Sequence, residues 1–490
     1  MLTKKNISDG LKSVGLGKGD SVIVHGSLKS FGPIRGGAGT VIAALMDVVG
    51  KKGHILMPTF SGAFPYDVRK TPSRLGVITE TFRKIKGVKR SLDPVANVAV
   101  WGPDAEDFIA GHLDTPTSHA RGTPYARLMD VEGQILLMGV DQDRNTMLHT
   151  SEELFHAPYL KDETVSYRDQ GSGRIKKITK KYFPGPHRNF IGLEPRFRSA
   201  GIINYGRIGD CVIRLMPAKA IVEEAITALR EDAAAFLCDN PLCDDCRRQR
   251  ADIIKDKLRR ESFTLAASSS ICGRNIDEIA KNLAYQGINH IQLDAVDGID
   301  IWSLSTSRLK FILDVLKQRK IVVSAIHTGS SKKNAGRISA IAGILKPRKV
   351  IMPLSRDTLM LQSQLKKNRL NVCFENKFLG ASECSELLKD NDCAEYCFQP
   401  ANFARCGEKP FLASFKKPLK NIVSRIVIDD CSFRGTPVLP GQGNAEVKEM
   451  ISILRCASFR GEMVLGSVDS AGVYSVGEIA DSFWRLVDEM

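Results

Sequence analysis

A chain of 490 residues is too long for one ordinary core, so two domains are expected. Its 43% hydrophobic and 26% charged residues exclude a disordered chain, and no apolar run reaches membrane-spanning length. The formal charge of +15 is spread over both halves, which argues against a dedicated nucleic-acid domain.

The opening MLTKKNISDGLKSVGL lacks the unbroken apolar core of a signal peptide, and the twelve cysteines are scattered. A cytoplasmic protein is therefore expected, without a disulfide framework. Apolar runs at 21–25, 54–58, 98–102 and 135–140 predict strands buried on both faces. Helical periodicity marks 40–49 and 79–85, and a longer helix over 218–237. Pro- and Gly-rich loops separate these elements, as a layered α/β domain requires. Basic clusters at 83–90 (RKIKGVKR) and 174–181 (RIKKITKK) read either as solvated faces or as attractors of an anionic ligand.

A boundary is expected near 247–260, where the polar stretch RRQRADIIKDKLRRES follows the long helix, giving domains 1–250 and 258–490. Beyond it, strands begin near 264, 290, 321, 349, 370, 395, 422 and 462, with amphipathic helices between them at 276–285, 307–318, 335–345 and 445–454. Eight such units over about 230 residues predict a (β/α)8 TIM barrel, with a doubly wound sheet as the alternative.

Two segments of the first domain carry chemistry. Asn145-Thr-Met-Leu-His149-Thr-Ser-Glu152-Glu153 places an imidazole and a carboxylate on one helical face. A neutral imidazole near pH 7 can take a proton from an amine, and a carboxylate beside it fixes its tautomer and stabilises the imidazolium. An ordinary surface helix capped by Asn145 or Thr146 remains open, as does a metal site that adds Glu153 and His156. The second segment is Val24-His25-Gly-Ser27-Leu-Lys-Ser30-Phe31-Gly32, followed by Gly36-Gly37-Ala-Gly39-Thr40 and a helix. With Thr40 as its cap, that helix start would present N–H groups to a phosphorylated ligand, although tight turns use the same glycines. Together the segments suit acyl transfer, a base in one place and a phosphate cradle in the other. A third motif, Cys238-x4-Cys243-x2-Cys246, suits structural zinc if a fourth ligand comes from elsewhere; otherwise these are cysteines at a helix end.

The stretch VHGSLKSFGPIRGGAGTVIAALMDVVGKKGHILMPTFS resembles the opening of the aminoglycoside 3-N-acetyltransferases. The pieces RLGVITETFRKIKGVKRSLDP, GTPYARLM, ILLMGVDQDRNTMLHTSEE, HRNFIGLEPRFRSAG and GRIGDCVIRLM follow that family in order, over nearly all of 5–238. The resemblance implies acetyl transfer from acetyl-CoA to an amine of an aminosugar or aminoglycoside, a reaction best known for antibiotic resistance. It implies His149 as general base with Glu152 as its partner, and His25, Ser27, Ser30, Phe31, Gly32, Gly36 and Gly37 on the cofactor side. The chain departs from the family at Asp93, where Ser-x-His-Pro becomes Ser91-Leu92-Asp93-Pro94, at Thr123, and at His187 before Arg-Asn-Phe. Asp93 and His187 bear on which acceptor is used.

Residues 263–466 resemble the sugar-phosphate isomerase/epimerase barrels related to xylose isomerase, through Asn371-Val-Cys-Phe-Glu375-Asn376, Phe398-Gln399-Pro400-Ala401-Asn402 and Leu439-Pro-Gly441-Gln-Gly443-Asn. Of the metal ligands implied, Glu375 remains; Gln399 and Gly466 stand where carboxylates are expected, with Asp429 and Asp430 as further oxygen donors. Losing two carboxylates lowers affinity for a divalent cation, so a sugar-binding or structural barrel is expected. A metal-dependent sugar isomerase and a non-catalytic sugar- or nucleotide-binding scaffold stay open as alternatives. The expected partner is a small-molecule amine, with neither nucleic acid nor membrane; a bound metal and a homo-oligomer are left open.

Overall fold

The four apolar runs of the first half become neighbouring strands at the centre of one sheet. In chain order the strands are β1 Ser21–Gly26, β2 His54–Pro58, β3 Lys89–Arg90, β4 Val98–Trp101, β5 Gln134–Met138, β6 Lys161–Arg168, β7 Ile175–Tyr182, β8 Asn204–Ile208 and β9 Cys211–Pro217. Seven pair in the order β3-β4-β2-β1-β5-β9-β8; β1 runs parallel to β2 and β5, and the outer pairings are antiparallel. The structure is a computed structural model that describes residues 1–182, 187–328, 334–377, 379–389, 391, 394–467 and 473–490. Two units divide the chain, Met1–Gln249 and Arg250–Met490.

Strand alternation sets the layers of the first unit. Val22 and Val24 enter one core with Val41 and Leu45 of the helix Gly37–Val49, while Ile23 enters the other with Ile221 and Val222 of the helix Ala218–Glu231. Each such side chain withdrawn from water contributes about 1.5–3 kcal/mol. The helix expected over 218–237 ends at Glu231, because the Asp232 carboxylate accepts from Ala234 N–H at 2.8 Å and turns the chain. The stretch taken for a polar boundary is itself a helix, Asp244–Arg259. Asp244 and Asp245 in its first turn and Lys257 and Arg259 in its last complement its dipole, and the division between the units falls within it.

Part of each basic cluster is taken up within the fold. Arg90 donates to the carbonyls of Thr59, Val68 and Thr71, and Arg83 pairs with Glu80 at 2.6 Å. Residues 175–182 form β7, hairpinned to β6. The Lys180 side chain of β7 is buried 3.0 Å from Asp93 Oδ2 and donates to the carbonyls of His112 and Thr115. Asp93 is equally buried and also accepts from Val95 N–H, Ala96 N–H and Ser118 Oγ. Burial opposes its charge, yet His112, Lys180 and these donors hold its carboxyl below the usual range. Asp93 is thus a buried residue that ties the hairpin to the fold through Lys180.

The second unit is a closed barrel of eight parallel strands, β10 Thr264–Ser268, β11 His290–Leu293, β12 Val322–His327, β13 Lys349–Pro353, β14 Val372–Glu375, β15 Glu395–Phe398, β16 Val423–Ile428 and β17 Glu462–Leu465. β10 closes on β17 with Thr264 opposite Glu462, which rules out the doubly wound alternative. Helices between the strands include Ile276–Tyr285, Thr306–Gln318, Ala335–Leu345 and Val447–Cys456. Inside the ring, Ala325, Ile351, Cys373, Cys397 and Val427 make a thin apolar layer. The buried Arg425 pairs with Glu462 and donates to Gln292 Oε1 at 2.9 Å.

Breaking a buried ion pair leaves a charge without compensation, at a cost of about 3–5 kcal/mol. Lys180→Met is expected to destabilise the protein by about that amount in equilibrium urea unfolding, and adding Asp93→Asn should recover part of the loss. A Lys180→Met midpoint equal to wild type would show that the pair does not anchor the hairpin.

Candidate active site

The two segments singled out in the sequence meet at the C-terminal ends of β1 and β5, which run side by side with His25 opposite Leu137. Ligands of open α/β sheets collect at such strand ends. The chain leaves β5 through Gly139, at φ +62°, where a Cβ would collide with Ser30 Oγ. His25 Nε2 lies 2.9 Å from Thr146 Oγ1 and accepts from Thr146 N–H at 3.3 Å. Burial lowers the His25 pKa to about 3, so its ring is neutral and serves as an acceptor. Thr146 is therefore tied to His25 rather than acting as a helix cap. Asn145 is buried and accepts from Met147 N–H at 3.2 Å.

Leu148–Phe155 is the helix that carries His149 and Glu152. His149 Nδ1 lies 2.6 Å from Glu152 Oε2; the imidazole is 24% exposed and the carboxylate not at all. The other oxygen, Oε1, accepts from Tyr159 OH at 2.9 Å and from Arg188 Nε at 2.7 Å. Burial opposes the Glu152 charge, but Arg188 and His149 outweigh it and hold the carboxyl below its usual 4.5. Phe190 meets the His149 ring edge-on, with centroids 5.1 Å apart. The buried His119 ring stands 5.4 Å from that of His149, and burial holds His119 neutral. The arrangement is a partly exposed imidazole whose Nδ1 faces a buried carboxylate held in its ionised form at neutral pH. Tyr159, Arg188 and His119 had not been assigned roles. Arg188 lay within a quoted motif, but nothing local links it to a carboxylate 36 positions away.

Around the expected cradle, Ser27 N–H donates to Met138 O at 2.9 Å, and Ser30 Oγ donates to Ser27 O at 2.7 Å and to Cys211 Sγ at 3.3 Å. Gly32 takes φ +73° at the end of the turn Leu28–Phe31. The Phe31 side chain is buried in the core, so its backbone is what it can present to a cofactor. Gly36, left-handed at φ +81°, begins the helix Gly37–Val49 with no side-chain cap. Thr40 lies inside that helix and donates to Arg35 O at 2.6 Å, so it is not the cap. Gly37 N–H donates to Ile34 O at 3.3 Å, and the N–H groups that follow it in the first turn have no intrahelical partner, as at any helix start.

Residues 23–230 match the protein-family model described as Aminoglycoside 3-N-acetyltransferase. Aminoglycoside N(3)-acetyltransferase IV of Salmonella sp is 32% identical over 233 residues, which is 46% of this chain and 87% of that protein. The chain belongs to the aminoglycoside 3-N-acetyltransferase family. The acetyltransferase-like protein YokD, derived from the SPbeta prophage of Bacillus subtilis (strain 168), is 35% identical over 256 residues, 46% of this chain and 90% of its own. Among solved structures, the aminoglycoside acetyltransferase AAC(3)-IVa apoenzyme shares 29% identity at a TM-score of 0.47, over 50% of this chain and 95% of that one. This family member is an acyltransferase, and the family match ends within the first unit.

Elsewhere in this acetyltransferase, the structure brings Cys238, Cys243 and Cys246 together with His187. Among the described residues this is the only group of His, Cys, Asp and Glu arranged to ligate a metal, so the reading of His149, Glu152, Glu153 and His156 as ligands does not hold. In the barrel, Glu375 Oε1 lies 2.6 Å from His327 Nε2, and His327 Nδ1 lies 3.8 Å from Asp294. Gln399 Nε2 donates to Asp429 Oδ2 at 2.8 Å, and burial raises Asp429 to about 7. Asp430 accepts backbone N–H bonds from Cys431, Gly441, Gly443 and Ala445, so it organises a loop rather than donating oxygens to a metal.

Because the folded-state pKa of Glu152 is depressed, its stabilisation is complete above about pH 5 and is lost as pH falls through that lower value. Glu152→Gln, which also strands the Arg188 charge, is expected to cost about 3–5 kcal/mol at pH 7. In urea titrations the gap between wild type and variant should narrow below pH 4.5. A gap constant down to acid pH would contradict the ionised state assigned to Glu152.

Proposed function

We propose that the first unit transfers acetyl from acetyl-CoA to an amino group of an aminoglycoside or related aminosugar, with His149 as general base. The observation that carries this reading is the His149–Glu152 pair, half-open on one side and held by Arg188 and Tyr159 on the other. An ammonium cannot attack a thioester, so a proton must first leave the acceptor nitrogen. With Nδ1–H donating a hydrogen bond to Glu152, Nε2 is the basic position on His149. Once the ammonium has lost its first proton to solvent, the amine nitrogen forms a bond to the acetyl carbonyl carbon while Nε2 takes its second proton, the carbon–sulfur bond breaks, and the imidazolium passes that proton to the departing thiolate. Glu152 stabilises the imidazolium through this interval. The uncapped helix start at Gly36–Gly37 suits the pyrophosphate of the donor, and His25, Ser27 and Gly32 frame the same strand end.

His149→Ala is expected to lower kcat by about 10²- to 10⁴-fold, the usual value of a positioned base, and to leave acetyl-CoA affinity by calorimetry unchanged. Thiol release with gentamicin, apramycin and sisomicin as acceptors measures turnover. A variant that keeps near-wild-type turnover would sink the assignment.

For the barrel, binding of a polyhydroxylated ligand is the reading we favour over metal-dependent isomerisation. Its mouth holds a cavity of about 660 Å³ lined by hydroxyl, amide and carboxylate groups, among them Ser268, Asp294, Gln399 and Asn402. Burial opposes charge on His327, but Glu375 raises its pKa to about 9, and the two side chains pair at 2.6 Å at that mouth. Equilibrium dialysis with manganese is expected to show no tight site that depends on Glu375. Stoichiometric binding abolished by Glu375→Ala would restore the isomerase reading.

A further inference from the structure

We propose that His187, Cys238, Cys243 and Cys246 form a closed zinc site that locks Arg188 against Glu152. The ligand atoms of the four residues all lie within 4.8 Å of one another. His187 Nδ1 is 3.2 Å from Cys246 Sγ and 3.6 Å from Cys243 Sγ. A tetrahedral zinc with Zn–S of about 2.3 Å and Zn–N of about 2.0 Å has nitrogen–sulfur edges of about 3.6 Å and sulfur–sulfur edges of about 3.8 Å. The cluster is therefore within a small contraction of a coordination sphere. The sulfurs are thiols and not disulfide partners, and a disulfide between any two would leave the imidazole nitrogen facing sulfur for no return.

Local structure supports the ligand state. Cys246 lies in the first turn of the helix Asp244–Arg259, which holds its sulfur beside those of Cys238 and Cys243. Cys238 N–H donates to Cys246 Sγ at 3.3 Å, the kind of second-sphere bond that orients a metal thiolate. Four protein ligands leave no open position, which marks a structural rather than a catalytic zinc.

The site reaches the active centre through one peptide unit. His187 is followed by Arg188, whose Nη1 donates to His187 O at 2.8 Å and whose Nε donates to Glu152 at 2.7 Å. Asn189 N–H donates to Phe236 O at 2.8 Å, and Phe190 packs edge-on against Phe236 and against His149. Zinc would pin the segment 187–190 to the turn at 236–246, holding both Arg188 and Phe190 where they meet the His149–Glu152 pair. His187 is then a positioning residue and not an acceptor contact. This consequence for catalysis rests on the acetyltransferase reading; the metal site does not.

The test is metal analysis of the full chain purified without added metal, followed by cobalt substitution. One zinc per chain is expected, with a thiolate-to-cobalt charge-transfer band and tetrahedral d–d bands after exchange. Cys243→Ser and His187→Ala should lose most of the metal, and His187→Cys should retain it. Zinc removal by a chelator should lower kcat at least tenfold while acetyl-CoA affinity holds, and returning zinc should restore it. If wild type carries no zinc and cobalt gives no thiolate band, or if mass spectrometry finds a disulfide among the three cysteines, the site is overturned. If zinc is present but its removal leaves kcat unchanged in an active enzyme, the bracing role is overturned. A chain that holds zinc through these four residues but acetylates nothing would sink the acetyltransferase reading and leave the metal site standing.

Discussion

A carboxylate with no exposure to water is the constraint around which the first unit is arranged. Glu152 would be too costly to ionise alone in that position, so each of its oxygens must be met by donors. His149 comes from its own helix, Tyr159 from the turn that follows, and Arg188 from beyond the hairpin β6–β7. Three separate stretches are thereby held at one point, and the point lies where β1 and β5 end. The His25–Thr146 contact ties the same helix start back to β1. The site is thus built by satisfying one charge, and the fold supplies the rigid strand ends on which that can be done.

The histidines show how far surroundings decide chemistry. His25 is buried without a charged partner and is neutral down to a pKa of about 3. His327 is partly exposed and faces Glu375 and Asp294, and its pKa rises to about 9. His149 has one side against a carboxylate and the other open to solvent. Surroundings thus make His25 a hydrogen-bond acceptor and His327 a cation, and they leave one face of His149 open to a ligand.

Much of this was legible in the sequence, and what was legible was local. Strands buried on both faces leave continuous apolar runs, so β1, β2, β4, β5 and the barrel strands stood within a few residues of their observed starts. The His149–Glu152 spacing showed for the same reason, since a helix brings i and i+3 together. Polarity misled where it concealed a helix: Asp244–Arg259 is charged along most of its length, and its aliphatic positions Ala251, Ile253, Ile254 and Leu258 are sparse. Side-chain competition with the backbone at Asp232 and Thr40 moved element ends that periodicity alone cannot place. Contacts between distant positions left no local trace: Arg188 with Glu152, Lys180 with Asp93, and His187 with the cysteines.

The seam of the barrel has a consequence for how the chain is made. β10 takes β17 as its neighbour, so about 200 residues must leave the ribosome before its open edge is covered. The sheet of the first unit has its last strand by Pro217. During synthesis the transferase sheet is therefore complete while the barrel is still an unsealed curl with two exposed edges. A nonsense codon late in the gene would cost the barrel its closure and leave every strand of the transferase sheet in place.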